Sequence, residues 1–170
     1  MGNKKIEKLC HPLEPVWNQC SKILILGTFP SVKSRETAFY YGNPRNRFWQ
    51  VLAALLDAPC PQGVPQKKEF LLENGIAVFD VLKSCEIRGS ADASIRRPQA
   101  NDFSGILQAA NIRAVFTNGK KAYEYYTKYC LADTGMESIC LPSTSPANAA
   151  MTLEKLIAAW AVILPWLNRE

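Results

Sequence analysis

The chain has 170 residues, enough for one domain with a core of its own. Apolar residues make up 48% and charged residues 21%, ordinary for a globular enzyme, and no apolar run reaches the ~20 residues of a membrane span. A net charge of +5 permits a polyanionic partner, and a single histidine excludes any two-histidine metal site.

From the N-terminus, Met1-Gly2-Asn3-Lys4-Lys5 has no secretory apolar region, so a cytoplasmic protein is expected. His11, beside Pro12, reads as a solvated or half-buried loop residue. Residues 22–27 form a short apolar run ending in Gly27, the mark of a parallel strand buried on both faces. Residues 28–44 are rich in Pro, Ser, Gly and Tyr and read as one long loop, a class of segment that is usually functional.

Asn46 to Asp57 carries an apolar stripe and reads as a helix, stopped by Pro59 and Pro61. A short helix, Lys67 to Glu73, leads through Asn74-Gly75 to a second strand, Ile76 to Val81. Residues 83–100 are polar and Arg-rich and read as a loop. There follow a helix over 102–110, a strand over 112–117, a helix over 119–129, a strand over 137–141 and a last helix over 152–166. Strand and helix alternate four times. The fold expected is α/β, a three-layer sandwich around a central four-stranded parallel sheet, with residues 1–170 as one domain. The six cysteines have no paired spacing; they read as free thiols, with ligation of an iron–sulfur cluster the minor alternative.

Two segments leave strand ends with unusual content, and strand ends are where such sheets bind ligands. In the first, Gly27 permits close backbone approach, while Phe29, Phe39, Tyr40 and Tyr41 offer flat faces for a base. Asn43 and Asn46 each carry an amide donor and acceptor, and Arg35, Arg45 and Arg47 can meet phosphates. Each has a plainer reading: Asn46 as a helix cap, Phe48 and Trp49 as core, residues 39–41 as a loop anchor. The second segment is Pro142-Ser143-Thr144-Ser145-Pro146-Ala147-Asn148. Composition alone leaves the function of both undecided.

The run Gly27-Thr28-Phe29-Pro30-Ser31-Val32-Lys33-Ser34, with Tyr40 to Trp49, resembles the first motif of the uracil-DNA glycosylase superfamily, in its hypoxanthine-DNA glycosylase branch. Residues 142–148 are similar to its second motif. The resemblance implies a monofunctional DNA N-glycosylase, without cofactor or metal, acting on DNA with a damaged or mismatched base. A monomer with no membrane association is expected. It further implies that Asn46, or else Asn43, positions the water. Gly27, Thr28, Phe29, Pro30, Phe39, Tyr40 and Tyr41 would surround the base. Ser31, Lys33, Arg45, Arg47 and residues 142–148 would contact DNA, Ser143 through a phosphate.

The chain departs from the wider superfamily at two places. Phe29 stands where many members hold water with Asp or Asn, and Leu141 stands where many place a histidine. The branch resembled here also lacks the first of these and acts on hypoxanthine, so a deaminated purine is the expected substrate and uracil a weaker one. Two other readings of the same strand-end crevice remain: a module that binds nucleic acid without cleaving it, and a small-molecule nucleoside hydrolase.

Overall fold

The computed structural model describes residues 4–168; the leader-free reading of Met1-Gly2-Asn3 lies outside the described residues. In chain order the elements are β1 (Ile6–Cys10), β2 (Ile23–Gly27), α1 (Val32–Thr37), α2 (Phe48–Leu55), α3 (Gly63–Glu73), β3 (Ile76–Asp80) and β4 (Leu82–Arg88). After a 3-10 turn at Asp92–Ser94 come β5 (Arg96–Ala100), α4 (Ser104–Ala109), β6 (Ala114–Asn118), α5 (Lys120–Tyr129), α6 (Leu131–Thr134) and β7 (Ser138–Leu141). The chain closes with α7 (Leu153–Trp160), a 3-10 turn at Ala161–Ile163 and α8 (Leu164–Leu167).

The expected four-stranded parallel sheet is present, in the order β3-β2-β6-β7, flanked by helices. Every residue of β2 and β3 is buried, which is why their sequences are continuous apolar runs. Because the strands are parallel and in register, their carboxyl ends share one edge. Gly27 pairs with Asp80, and Asn118 pairs with Leu141. That edge is where the long connections leave.

Three expectations are corrected. The reading of 83–100 as a loop is wrong: β4 and β5 lie there and join β1 in a second, antiparallel sheet of order β1-β4-β5. In β4, Leu82, Cys85 and Ile87 turn inward and Lys83 and Arg88 outward. The loop over 28–44 contains α1, capped by Ser31, whose Oγ accepts from Ser34 N–H at 3.1 Å. The last helix is broken into α7, a turn and α8, since Pro165 lacks the N–H that would continue it and sits instead in the first turn of α8.

Candidate active site

The carboxyl edge of the parallel sheet holds a cavity of about 300 Å³, within the range of ligand sites. Its walls come from both segments singled out in the sequence. Gly27 through Ser31, Tyr40, Tyr41, Asn43 and Asn46 meet Ser143 through Ala147 across it. Gly27 is there for space: a Cβ on it would stand 2.4 Å from Asp80 Oδ1 and 3.2 Å from the Tyr41 hydroxyl.

Asn46 precedes α2 rather than lying within it. Its Oδ1 accepts from Phe48 N–H at 3.0 Å, and its own N–H donates to Asn43 O at 2.9 Å. The side chain is thus held against the helix start while it lines the cavity, with a second lone pair on Oδ1 still open. Asn43 lines the same wall, and its Oδ1 accepts from Arg45 N–H at 2.9 Å.

The second segment is tied to the first. Arg47 N–H donates to Thr144 O at 3.1 Å. Thr144, fully buried, exchanges two 3.0 Å bonds with the Asn118 amide at the end of β6. The Arg47 guanidinium turns inward: Nη2 donates to Ser145 O and Asn148 O, both at 3.0 Å, and Nη1 to Met151 O. Asn148 Nδ2 donates to Ser143 O at 3.0 Å, and Trp160 Nε1 to Pro142 O at 2.9 Å. Ser145 N–H donates to Ser143 Oγ at 3.1 Å.

Several expected contacts are therefore relocated. Arg47 is committed to backbone carbonyls and so is unavailable to phosphate. Phe39 is 5% exposed, stacks with Trp49 at 6.0 Å between centroids, and stays outside the cavity lining. Pro142 and Asn148 border a neighbouring depression with Lys120 and Met151. Lys33, beside Glu36 at 3.6 Å, and Arg45 are exposed beyond the lining. Arg35 donates to Gly89 O at 3.3 Å. Tyr40 and Tyr41 do line the cavity, but as packed rings: Tyr40 donates to Glu14 O at 2.8 Å, and Tyr41 stacks on Phe48 at 3.9 Å.

Five lining residues were given no role in the sequence reading: Asp80, Asp92, Asn118, Ser90 and Ser34, the last quoted only as part of the first motif. Asp80 and Asn118 are the last residues of β3 and β6, and a polar residue closing an otherwise apolar strand was the signal available for them. Asp80 has an unexpected partner. His11 Nε2–H donates to its Oδ2 at 2.8 Å, and the two side chains are 3% and 6% exposed. His11 does lie in a loop and is half-buried as a residue, but its imidazole is turned inward among Phe29, Phe79 and Tyr40, where it partners a cavity carboxylate. Their sequence separation of 69 hid the pair.

The electrostatics concentrate at this end. Burial raises the Tyr41 phenol well above its ordinary value, Asp80 adds to the rise, and the Asn118 side chain opposes it. Its hydroxyl is buried without a completed hydrogen bond. Burial likewise pushes Asp92 up to about 6, with Asp80 adding and Thr28 and Lys121 opposing. The six cysteines do not converge, and among the described residues no three ligating side chains gather around a point.

Comparison with known proteins identifies the family. The model of the uracil DNA glycosylase superfamily matches residues 15–166. A hypoxanthine DNA glycosylase of Methanosarcina acetivorans is 37% identical over 135 residues, covering 78% of this chain and 84% of the relative. One of Methanosarcina barkeri is 34% identical over 149 residues, covering 86% and 92%. A solution NMR structure from Methanosarcina acetivorans, assigned to the uracil DNA glycosylases, superposes with a TM-score of 0.78 at 32% identity, covering 92% of this chain and 97% of the other.

Proposed function

The chain belongs to the uracil DNA glycosylase superfamily, and from that premise we propose that it is a DNA N-glycosylase releasing a flipped, deaminated base, hypoxanthine before uracil. One observation carries this reading: two loops, joined by an Arg47–Asn148 bond across a sequence separation of 101, close on one cavity that holds a side-chain amide and a buried carboxylate. The relatives named hypoxanthine DNA glycosylases supply the base.

A base inside a duplex is out of reach, so the nucleotide swings out at a cost of a few kcal/mol, least for a mispaired base. Breaking the glycosidic bond places positive charge on the sugar and negative charge on the departing base. Asn46 positions the water beneath C1′, its open Oδ1 lone pair accepting a water hydrogen. An amide is no useful base, so its contribution is orientation. The Thr28 and Phe29 amides donate to the base, as in an oxyanion hole. Asp80 Oδ1 accepts from N1–H of hypoxanthine. Adenine presents a lone pair at N1 and is repelled there. Ser31 and Ser143 meet the phosphates, Lys33 and Arg45 add charge outside the pocket, and Pro146-Ala147 fills the gap the base leaves. The whole chain, residues 1–170, acts as one domain, as a monomer in the cytoplasm. No step calls on a metal or cofactor.

Labelled duplexes carrying hypoxanthine, xanthine or uracil, treated with alkali after incubation, test this. Strand breaks at hypoxanthine are expected, with fewer at uracil. Retardation of the duplex without breaks supports a binding module instead. Hydrolysis of free inosine without cleavage of DNA supports a nucleoside hydrolase.

A further inference from the structure

The cavity holds two carboxyl groups, and only one is hydrogen-bonded to a basic side chain. Asp80 is engaged by His11. Asp92 arrives on the connection between β4 and β5 and forms none of the observed ion pairs among the described residues. That connection is braced by hydrogen bonds. Ser94 Oγ accepts from Arg88 N–H at 2.8 Å and donates to Ala91 O at 2.6 Å, and Ile95 N–H donates to Asp92 O at 3.2 Å. It is also tied to the first loop: Val32 N–H donates to Ser90 Oγ at 2.9 Å. Asp92 is therefore held at the same wall as Thr28, on which the base would rest, whereas Asn46 is bonded to Asn43 and Phe48, beside Arg47, whose N–H donates to Thr144 O.

Resting on the glycosylase reading above, we propose that Asp92 is a catalytic acid that delivers a proton to N7 of the departing deaminated purine. As the C1′–N9 bond breaks, its electron pair passes into the purine ring. The Asp92 carboxyl proton moves to N7, so hypoxanthine leaves as a neutral molecule. Water adds to C1′ and gives up a proton to solvent, and the Asp92 carboxylate takes one back from solvent. Uracil departs through N1 and has no N7, so it gains nothing from this group. The step thereby favours purines.

The surroundings suit the role. Burial, reinforced by Asp80, holds the Asp92 proton to a pH near neutrality, while Thr28 and Lys121 pull the other way. Tyr125 on α5 and Cys85 on β4 face it as neutral groups. The phosphates of bound DNA add negative charge and strengthen its hold. The other cavity acids, Tyr40 and Tyr41, grip their protons far too tightly to release them.

The test is single-turnover hypoxanthine excision from pH 5 to 9 by the wild-type enzyme and Asp92→Asn, with duplex affinity measured by fluorescence anisotropy. The wild-type rate should fall about tenfold per pH unit above a break between roughly pH 6 and 7, as for one essential acid. Asp92→Asn should be about 100-fold slower at pH 6, without that break and with duplex affinity kept. A flat wild-type profile overturns the proposal without recourse to any variant. So does an Asp92→Asn enzyme that keeps the break or more than half the rate. Failure of the glycosylase reading looks different: wild-type enzyme makes no abasic site from hypoxanthine at any pH.

Discussion

At Gly27 three groups compete for one small volume: the Gly27 α-carbon, Asp80 Oδ1 and the Tyr41 hydroxyl. Gly27→Ala should push the Asp80 carboxylate off its position and cut hypoxanthine excision at least tenfold; unchanged kcat/KM would show that the carboxylate has no place in recognition. His11→Ala strands a buried carboxylate. Loss of one partner of such a pair typically costs about 3–5 kcal/mol, so urea unfolding at pH 7 should shift by that order, and adding Asp80→Asn should restore much of it. Asp92 makes the opposite prediction. Its folded carboxyl titrates at about 6 against an ordinary 3.8, so the folded state binds the proton more tightly. Stability is lost as pH rises from about 4 to 6 and stays lost above. Discounted for partial exposure, the deficit is about 1–2 kcal/mol. Asp92→Asn should therefore raise Tm by about 2–6 °C at pH 8 and leave it unchanged at pH 4, by differential scanning calorimetry. That Asn46 would hydrogen-bond the start of α2 was foreseeable from its type, although Arg47 occupies the cap position itself, and its cavity position from its place after the first loop. The His11–Asp80 pair was not, because no periodicity or spacing links residues brought together only by tertiary structure.

Among the elements, the parallel strands were legible because burial on both faces forces an unbroken apolar run. The second sheet was not. β1 (Ile-Glu-Lys-Leu-Cys) and β5 (Arg-Arg-Pro-Gln-Ala) are edge strands with little buried surface, and charge and proline at an edge suppress the alternating pattern that reveals a strand. The consequence reaches the site, since the turn carrying Ser90 and Asp92 exists only because β4 and β5 pair. Arg47 teaches the same lesson. An arginine in a loop beside a motif expected to meet DNA reads as a phosphate contact, yet it fastens the segment after β7 through the carbonyls of Ser145, Asn148 and Met151. Arg47→Ala should lower Tm and reduce both duplex affinity and turnover. Arg45→Ala should weaken duplex affinity with Tm unchanged. Equal Tm values for the two would contradict the clamp.

For the molecule as a whole, the strand–helix alternation fixes the architecture and so the edge at which ligands bind, while the chemistry depends on what four strand ends bring together. Gly27, Asp80, Asn118 and Leu141 stand at equivalent register positions on that edge. The net charge of +5 and the exposed Lys33 and Arg45 beside the cavity predict a partner with a phosphate backbone. Each phosphate contact should contribute a slope of about −0.9 to log K against log salt, so duplex binding should weaken steeply between 50 and 200 mM. A salt-independent affinity would point to a small-molecule ligand.

The most direct measurement is release of free hypoxanthine from a defined duplex at enzyme excess, by the wild-type protein and by Asn46→Ala. Release matched one for one by abasic sites is predicted for the wild type. A rate at least ~100-fold lower is predicted for the variant with duplex affinity nearly intact. Undiminished release by Asn46→Ala would contradict the assignment of the water to that residue, and with it the geometry on which the account rests.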